Sequence, residues 1–216
     1  MGIITIERKV LEKNDEIAAL NRKLFKDNKI FVINIVSSPG SGKTSILERT
    51  IEELKGKINI AVVEGDVQTD FDAKRVERYN VPVVQIVTNG ACHLEAKLVK
   101  DALDNIKLDN INFLVIENVG NLVCPAGYDL GEALKVVILS TTEGDDKPLK
   151  YPKMFMNSSV LVINKIDLLP YVNCNLDVLK KNALQINPDL KIFETSCTSK
   201  EGIKEWCEWI EENVST

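Results

Sequence analysis

Cys92 and His93 stand side by side in "NGACHLEA", and His93 is the only histidine in the chain. A further thiol, Cys124, follows in "ENVGNLVCPAG". Thiolate and imidazole together suit borderline or soft divalent ions such as Zn²⁺ and Ni²⁺. Three ligands leave a tetrahedral site one short, so water or a second chain must complete it. Two adjacent ligands on one loop do not easily wrap a single ion, which favours sharing across a dimer. A bland reading stands beside this one. A histidine ahead of a helix often bonds the helix N-terminus, and Cys is among the most buried residue types. No Cys-x-x-Cys spacing decides between them. Cys207, in "IKEWCEWIEE", reads as packing beside Trp206 and Trp209, and Cys174 in "YVNCN" stays open.

The segment "INIVSSPGSGKTSILERT" carries a second chemistry. It reads as a buried strand, a loop of small residues and a helix. Residues 37–44, "SSPGSGKT", fit a phosphate-binding loop, with Ser37 in place of the leading glycine. Gly40 and Gly42 permit the turn and a close backbone approach. The N–H groups of Ser38 to Ser45, Ser41 among them, and the positive end of the next helix suit phosphate oxygens. Lys43 is placed to reach the β- and γ-phosphates, and the Thr44 hydroxyl to ligate Mg²⁺.

Downstream, "VLVINKID" ends in Asn164-Lys165-Ile166-Asp167, which resembles the guanine-specificity motif of GTPases. The Asp167 carboxylate can accept from guanine N1–H and the N2 amino group, which adenine lacks. Lys165 can lay its stem over the base, and Asn164 can tie this loop to the phosphate loop. In "ETSCTSKEG", Ser196 and Cys197 stand where GTPases carry a short base-contacting motif, so Cys197 reads as a small loop residue.

Acidic residues follow strands near the same place. Asp66 follows "AVVEGD", and Glu117 closes "INFLVIENVGN". GTPases usually have Asp-x-x-Gly at the second position, where this chain has Glu117-Asn118-Val119-Gly120. Thr44, Asp66 and Glu117 are the candidate Mg²⁺ ligands, and Gly120 is placed to offer its N–H to the γ-phosphate. Residues 66–75, "DVQTDFDAKR", suit a first switch that orders on phosphate and metal. Asp66 and Asp72 are candidates to ligate Mg²⁺ or orient the attacking water, and Asp70 reads as a helix N-cap. No arginine stands in an evident finger position. Lys147 and Lys150 are candidates to reach the nucleotide of a second subunit, against an ordinary reading as solvated loop lysines.

These groups must be positioned by a fold. Seven apolar runs, at 30–36, 59–64, 81–87, 111–117, 135–141, 159–165 and 190–195, alternate with helical patterns at 43–55, 69–79, 93–106, 176–187 and 202–213. Most runs are apolar throughout, as in strands covered on both faces. The expected class is α/β, a doubly wound, mostly parallel sheet of about seven strands with one pair open to antiparallel pairing. An amphipathic helix over residues 6–27 precedes it, with Val10, Leu11, Ile17, Leu20 and Leu24 at helical spacing. That divides the chain into an N-terminal helix (1–28) and a nucleotide-binding domain (29–216). Residues 142–157 form the longest polar segment and read as a mobile or functional loop. The net charge of -5 argues against sequence-independent nucleic-acid binding. No apolar run is long enough for a membrane span, and no signal-peptide core opens the chain, so the expected compartment is cytoplasmic.

Taken in order, "SSPGSGKT", "VVEGDVQTDFDAKR", "NGACHLEA", "IENVGNLVCP", "TTEGDDKPLKYP" and "VINKIDLLPY" resemble the HypB hydrogenase-maturation GTPases. The resemblance runs from about residue 10 to the end. It implies a phosphate-loop GTPase, cycling between GTP and GDP with Mg²⁺, that dimerises around GTP. It also implies delivery of nickel to the large-subunit precursor of [NiFe]-hydrogenase, with a HypA-type zinc/nickel chaperone as partner. By position, Cys92, His93 and Cys124 match the family's metal site for nickel or zinc. The Cys-x-x-Cys-Gly-Cys motif and His-rich stretch of some members are absent before Cys92. Rival readings are a urease-type nickel GTPase, whose Cys-Pro-His motif is missing, a phosphate-loop small-molecule kinase, and a non-catalytic metal-binding switch that uses GTP only as a dimerisation ligand.

Overall fold

The computed structural model describes residues 6–68 and 71–215. Its centre is a sheet of seven strands: β1 (Phe31–Ser37), β2 (Ile60–Asp66), β3 (Val83–Val87), β4 (Phe113–Glu117), β5 (Leu134–Ser140), β6 (Val160–Asn164) and β7 (Lys191–Glu194). Their order is β3-β2-β4-β1-β5-β6-β7. All six ladders are parallel, so the antiparallel pair allowed by the sequence is not formed. Continuous β-branched runs bury the inner strands on both faces, whereas β3 and β7, at the sheet edges, carry Gln85, Lys191 and Glu194.

Eight α-helices cover the faces: α1 (Ile6–Asp27), α2 (Lys43–Leu54), α3 (Phe71–Glu77), α4 (Ala96–Leu103), α5 (Lys147–Lys150), α6 (Pro152–Met156), α7 (Leu176–Ile186) and α8 (Ile203–Val214). On one face α2 and α8 bury Ile46, Leu47, Trp206 and Ile210 against Ile33, Val115 and Val162. The Trp206 indole N–H donates to Thr50 Oγ1 at 2.9 Å, tying α8 to α2. On the other face two apolar clusters lie side by side. One holds Val99 and Leu103 of α4 with Phe25 of α1. The other holds Met154, Phe155 and Leu179 of α6 and α7.

The N-terminal helix presents a different face from the one its apolar stripe predicts. Asn14, Ala18, Asn21 and Phe25 are buried, while Val10, Leu20 and Leu24 are exposed. The reason is hydrogen bonding. Asn14 Oδ1 accepts from the Ala96 N–H at 2.9 Å, and Asn21 Nδ2 donates to Ala96 O and Leu130 O at 2.9 and 3.0 Å. Buried amides that satisfy otherwise orphaned backbone groups outweigh the apolar stripe. Gly131 permits the close approach: at φ +94°, an added Cβ would meet Ala18 O at 2.7 Å. Gly131→Ala is therefore expected to lower stability by about 2–3 kcal/mol and to loosen α1. Gly56→Ala, also at positive φ but with nothing within 4 Å, isolates the backbone strain and should cost less. Thermal unfolding of the two variants checks the difference.

Residues 142–157 fold into a 3₁₀ turn and two short helices rather than a plain loop. Ser140 caps a 3₁₀ turn, Thr141–Glu143, in a reciprocal box with Glu143. Pro148 and Pro152 stand in the first turns of α5 and α6, where proline's missing N–H costs nothing. Met154 and Phe155 anchor the segment in the core. Among the described residues no helix is long and apolar enough to cross a membrane.

Candidate functional site

All seven strands point their C-terminal ends to one edge of the sheet, where a parallel doubly wound fold places its ligands. There a cleft of about 500 Å³ is lined by Gly40, Gly42, Lys43, Thr44, Ser45, Asp66, Asp72, Arg75, Gly120 and Lys165. Gly42 adopts φ +99° at the start of α2. An added Cβ there would run into Asn164 Nδ2. Lys43 Nζ lies 3.2 Å from Ser37 Oγ, so the hydroxyl replacing the usual glycine meets the loop lysine. Ser41 Oγ donates to Ser38 O at 2.9 Å, bracing the turn.

The motif at the end of β6 folds against this loop. Asn164 Nδ2 donates to Ser41 O at 3.0 Å, and Lys165 Nζ to Gly40 O at 2.6 Å. Lys165 is left-handed at φ +62°. The Asp167 carboxylate accepts from Ser196 Oγ at 2.6 Å. The Cys197 thiol lies 3.6 Å from Asn164 Oδ1, and burial pushes it up to about 11. Arg49 Nε donates to Cys197 O at 2.9 Å.

Behind the loop lie three carboxylates. Glu64, Asp72 and Glu117 place ligand oxygens within 4.8 Å of one another. Thr44 Oγ1 donates to Glu117 Oε1 at 2.9 Å. Glu64 Oε2 and Glu117 Oε2 are buried with no hydrogen-bond partner among the described residues. Burial, then the neighbouring Glu117 charge, raises the Glu64 carboxyl well above the usual carboxylate range. Burial also raises Glu117, with the Lys43 ammonium and the Thr44 hydroxyl opposing it. Orphaned carboxylate oxygens that disfavour ionisation together fit a hard divalent cation, which would supply the missing charge and ligation. Asp66 stands at the end of β2, lines the cleft and caps the Gln68 N–H at 2.9 Å, outside this trio.

The thiols and imidazole come together a short distance along the edge. Cys92 Sγ lies 2.7 Å from Cys124 Sγ and 3.7 Å from His93 Nδ1. Ligand atoms of all three residues fall within 4.8 Å in one chain, so adjacency of Cys92 and His93 does not prevent convergence. The His93 ring packs against Tyr128, tilted by 36°, with centroids 4.0 Å apart. His93 Nε2 is buried with no hydrogen-bond partner among the described residues. Burial lowers the imidazole pKa, which favours the neutral, ligating form. The Cys92 thiol is raised, first by Cys124 and then by burial. This donor set fits a soft or borderline ion. The helix expected from residue 93 begins instead at Ala96, because Leu94 N–H is held by Asn118 Oδ1 and Ala96 N–H by Asn14 Oδ1.

A family model described as CobW/HypB/UreG, nucleotide-binding domain, matches residues 31–194. The hydrogenase maturation factor HypB of Azotobacter vinelandii is 51% identical over 216 residues, covering 99% of this chain and 71% of that protein. The chain belongs to the HypB family of hydrogenase maturation factors. HypB of Escherichia coli K12 is 47% identical over 209 residues, covering 97% of this chain and 72% of that protein. The crystal structure of HypB from Helicobacter pylori in complex with nickel superposes with a TM-score of 0.90 at 40% identity, over 94% of this chain and 95% of that one.

Two residues of this HypB edge are not read from its sequence. Glu64 lies inside an apolar strand, two positions before Asp66; an acid interrupting a buried run was the available signal. Arg75 lines the cleft, although no arginine stands out by sequence. Its guanidinium holds Glu48 at 2.6 Å, Ser45 Oγ at 3.2 Å and Asp72 at 3.2 Å, tying α3 to the phosphate-loop helix. Lys147 and Lys150, on α5, do not line the cleft of their own chain: they pair with Glu143 of the preceding 3₁₀ turn and with Asp146, just before α5. Asp70 lies outside the described residues. Cys207 is core, pushed by burial to about 12.

Proposed function

We propose that this HypB-family chain is a GTP-hydrolysing nickel metallochaperone that works as a GTP-dependent homodimer. One observation carries the reading: a single loop, residues 117–124, runs from the acidic trio beside the phosphate cleft to the Cys/His cluster. The nickel complex of the Helicobacter pylori relative supports nickel as cargo.

In this reading the N–H groups of residues 38–45 and the Lys43 ammonium hold the β- and γ-phosphates. Asp167 reads guanine, Asn164 and Lys165 fix its loop against the phosphate loop, and Ser196 and Cys197 close the base edge. Thr44, Asp66 and Glu117 would hold Mg²⁺, with Glu64 and Asp72 beside them. Bound there, Mg²⁺ neutralises charge developing on the phosphate oxygens. Asp72, held by Arg75, orients the attacking water, and the Gly120 N–H faces the γ-phosphate. Lys147 and Lys150 reach the partner subunit's nucleotide. The chain divides into an N-terminal unit (1–28) built around α1, which packs on the domain through Asn14 and Asn21, and the GTPase domain (29–216). Cys92, His93 and Cys124 hold nickel or zinc, with the fourth position left to water or the second subunit. The partners are a HypA-type chaperone and the hydrogenase large-subunit precursor, in the cytoplasm.

Phosphate release with Mg²⁺ tests the enzyme assignment. GTP turnover that excess ATP does not inhibit is the expected result; equal affinity for ATP would favour a kinase, and GTP binding without turnover a non-catalytic switch.

A further inference from the structure

Between the two apolar clusters of the α1/α4 face runs a buried polar seam. Asn34, in the middle of β1, is fully buried, and Asn118, Glu132 and Lys135 are nearly so. Asn34 stands in register with Lys135 across the β1–β5 ladder. Buried polar groups of this kind persist when every member is satisfied, and here the partners form a directed chain. Glu132 Oε1 accepts from Asn34 Nδ2 at 3.0 Å. Asn34 Oδ1 accepts from Asn118 Nδ2 at 3.2 Å. Asn118 Oδ1 then accepts two backbone N–H groups, Leu94 and Val119, each at 3.0 Å.

Those two amides belong to different sites. Leu94 follows His93 in the thiol–imidazole loop. Val119 precedes Gly120 on the wall of the phosphate cleft. Gly120 lies so close to the phosphate loop that an added Cβ would meet Pro39 at 3.1 Å. A displacement of the loop at residues 119–120 therefore has a direct mechanical consequence. It moves the Val119 N–H, which shares its acceptor oxygen with Leu94. The far end of the carboxamide is held through Asn34 to Glu132, so the amide pivots instead of translating. Glu132 is itself anchored, its Oε2 accepting from the Leu130 N–H, two residues earlier in its own loop, at 2.7 Å. Lys135 extends the anchorage to the other half of the cluster, donating to Pro125 O and Tyr128 O at 3.0 and 2.9 Å. Pro125 adjoins Cys124, and Tyr128 covers the His93 ring.

We infer that Asn118, pinned by Asn34 and Glu132, is the positioning residue that transmits nucleotide state from Val119–Gly120 to the Cys92–His93 loop. This rests on the reading that the chain binds both a guanine nucleotide and nickel. The local route through residues 120–124 carries Cys124 and touches the Cys92 carbonyl through Asn121 Nδ2 at 3.3 Å; Asn118 holds the Leu94 N–H, next to His93.

The test has two arms on the full chain. Ni²⁺ is titrated with Mg²⁺ and either GDP or a non-hydrolysable GTP analogue, for wild type, Asn118→Ala and Asn118→Asp. Wild type is expected to differ roughly 10-fold in nickel affinity between the two states. Asn118→Ala should bring that ratio close to one, and Asn118→Asp, which keeps the acceptor for Leu94 but cannot donate to Asn34 Oδ1, should fall between the two. An unchanged ratio in Asn118→Ala, or a ratio of one in wild type, overturns the inference. The second arm measures amide exchange in wild type without added metal, so it stands even if Asn118→Ala fails to fold. Leu94 and Val119 should change protection together between the two nucleotides. A change at Val119 with none at Leu94 overturns the relay. A chain that binds no nickel but shows the joint exchange change fails the proposed function and leaves the relay standing.

Discussion

Lys43→Ala is expected to lower GTP turnover about 10³-fold, the upper end of the loss from removing one preorganised charge-stabilising donor. Several groups share phosphate binding, because the backbone N–H groups of the loop and the α2 terminus remain. What the variant lacks is a mobile positive charge at the reacting phosphate. The ammonium is held by a hydroxyl, Ser37 Oγ at 3.2 Å, rather than by a carboxylate at ion-pair distance, so it can turn to a phosphate without breaking a strong pair. Glu64 and Glu117 sit close behind and gain from its field, so the variant should also weaken Mg²⁺ binding. Single-turnover hydrolysis at saturating GTP, with GDP affinity measured alongside, separates the chemical loss from a binding loss. A rate within about 10-fold of wild type would mean that another cation does this work, and Arg75 on the same wall is the first to examine.

The second large effect concerns nickel. Cys124→Ala should weaken Ni²⁺ binding by about 100-fold or more, since even supporting residues around a metal cost 10- to 100-fold. GTP turnover without metal should stay near wild type, because Cys124 does not line the phosphate cleft. The pH dependence carries a second signature. Cys92 is raised first by Cys124 and then by burial, so at neutral pH its proton must leave as the ion binds. Wild-type affinity should therefore climb steeply as pH rises from 6 to 8. Removing Cys124 takes away the leading cause of the Cys92 shift, so the slope should become shallower. His93 contributes little to that slope above its depressed pKa, because burial already keeps the ring neutral. Isothermal titration at several pH values with Cys124→Ala checks both the magnitude and the slope.

Much of the sheet was legible because its physics is local. Strands covered on both faces must be largely apolar, and β1, β2, β4, β5 and β6 are, apart from Asn34, Glu64 and Lys135 within them and the polar residues at their C-terminal ends. The phosphate loop was legible because close backbone approach demands small residues at fixed spacing, as Gly42 against Asn164 illustrates. The face of α1 was not legible, since Asn14 and Asn21 bond to backbone groups far along the chain. Periodicity counts apolar residues and cannot see such partners. Glu64 was hidden for a related reason: an acid in an apolar strand reads as an intruder until Glu117 and Asp72 are found beside it. Arg75 lies in a charged segment where sequence offers no reason to single it out, and only the packing of α3 against α2 brings it to the cleft. The polar stretch after β5 read as a loop because its buried side chains, Pro148, Met154 and Phe155, are few among many charges.

The central claim is that guanine nucleotide and nickel act on one another through this edge of the fold. Native mass measurement of the nickel-loaded chain, with GDP and with a non-hydrolysable GTP analogue, tests it most directly because it reads oligomeric state and bound metal together. The account predicts a metal-bearing dimer with the analogue and a smaller species with altered metal content with GDP. The same mass and the same nickel content in both states would contradict it.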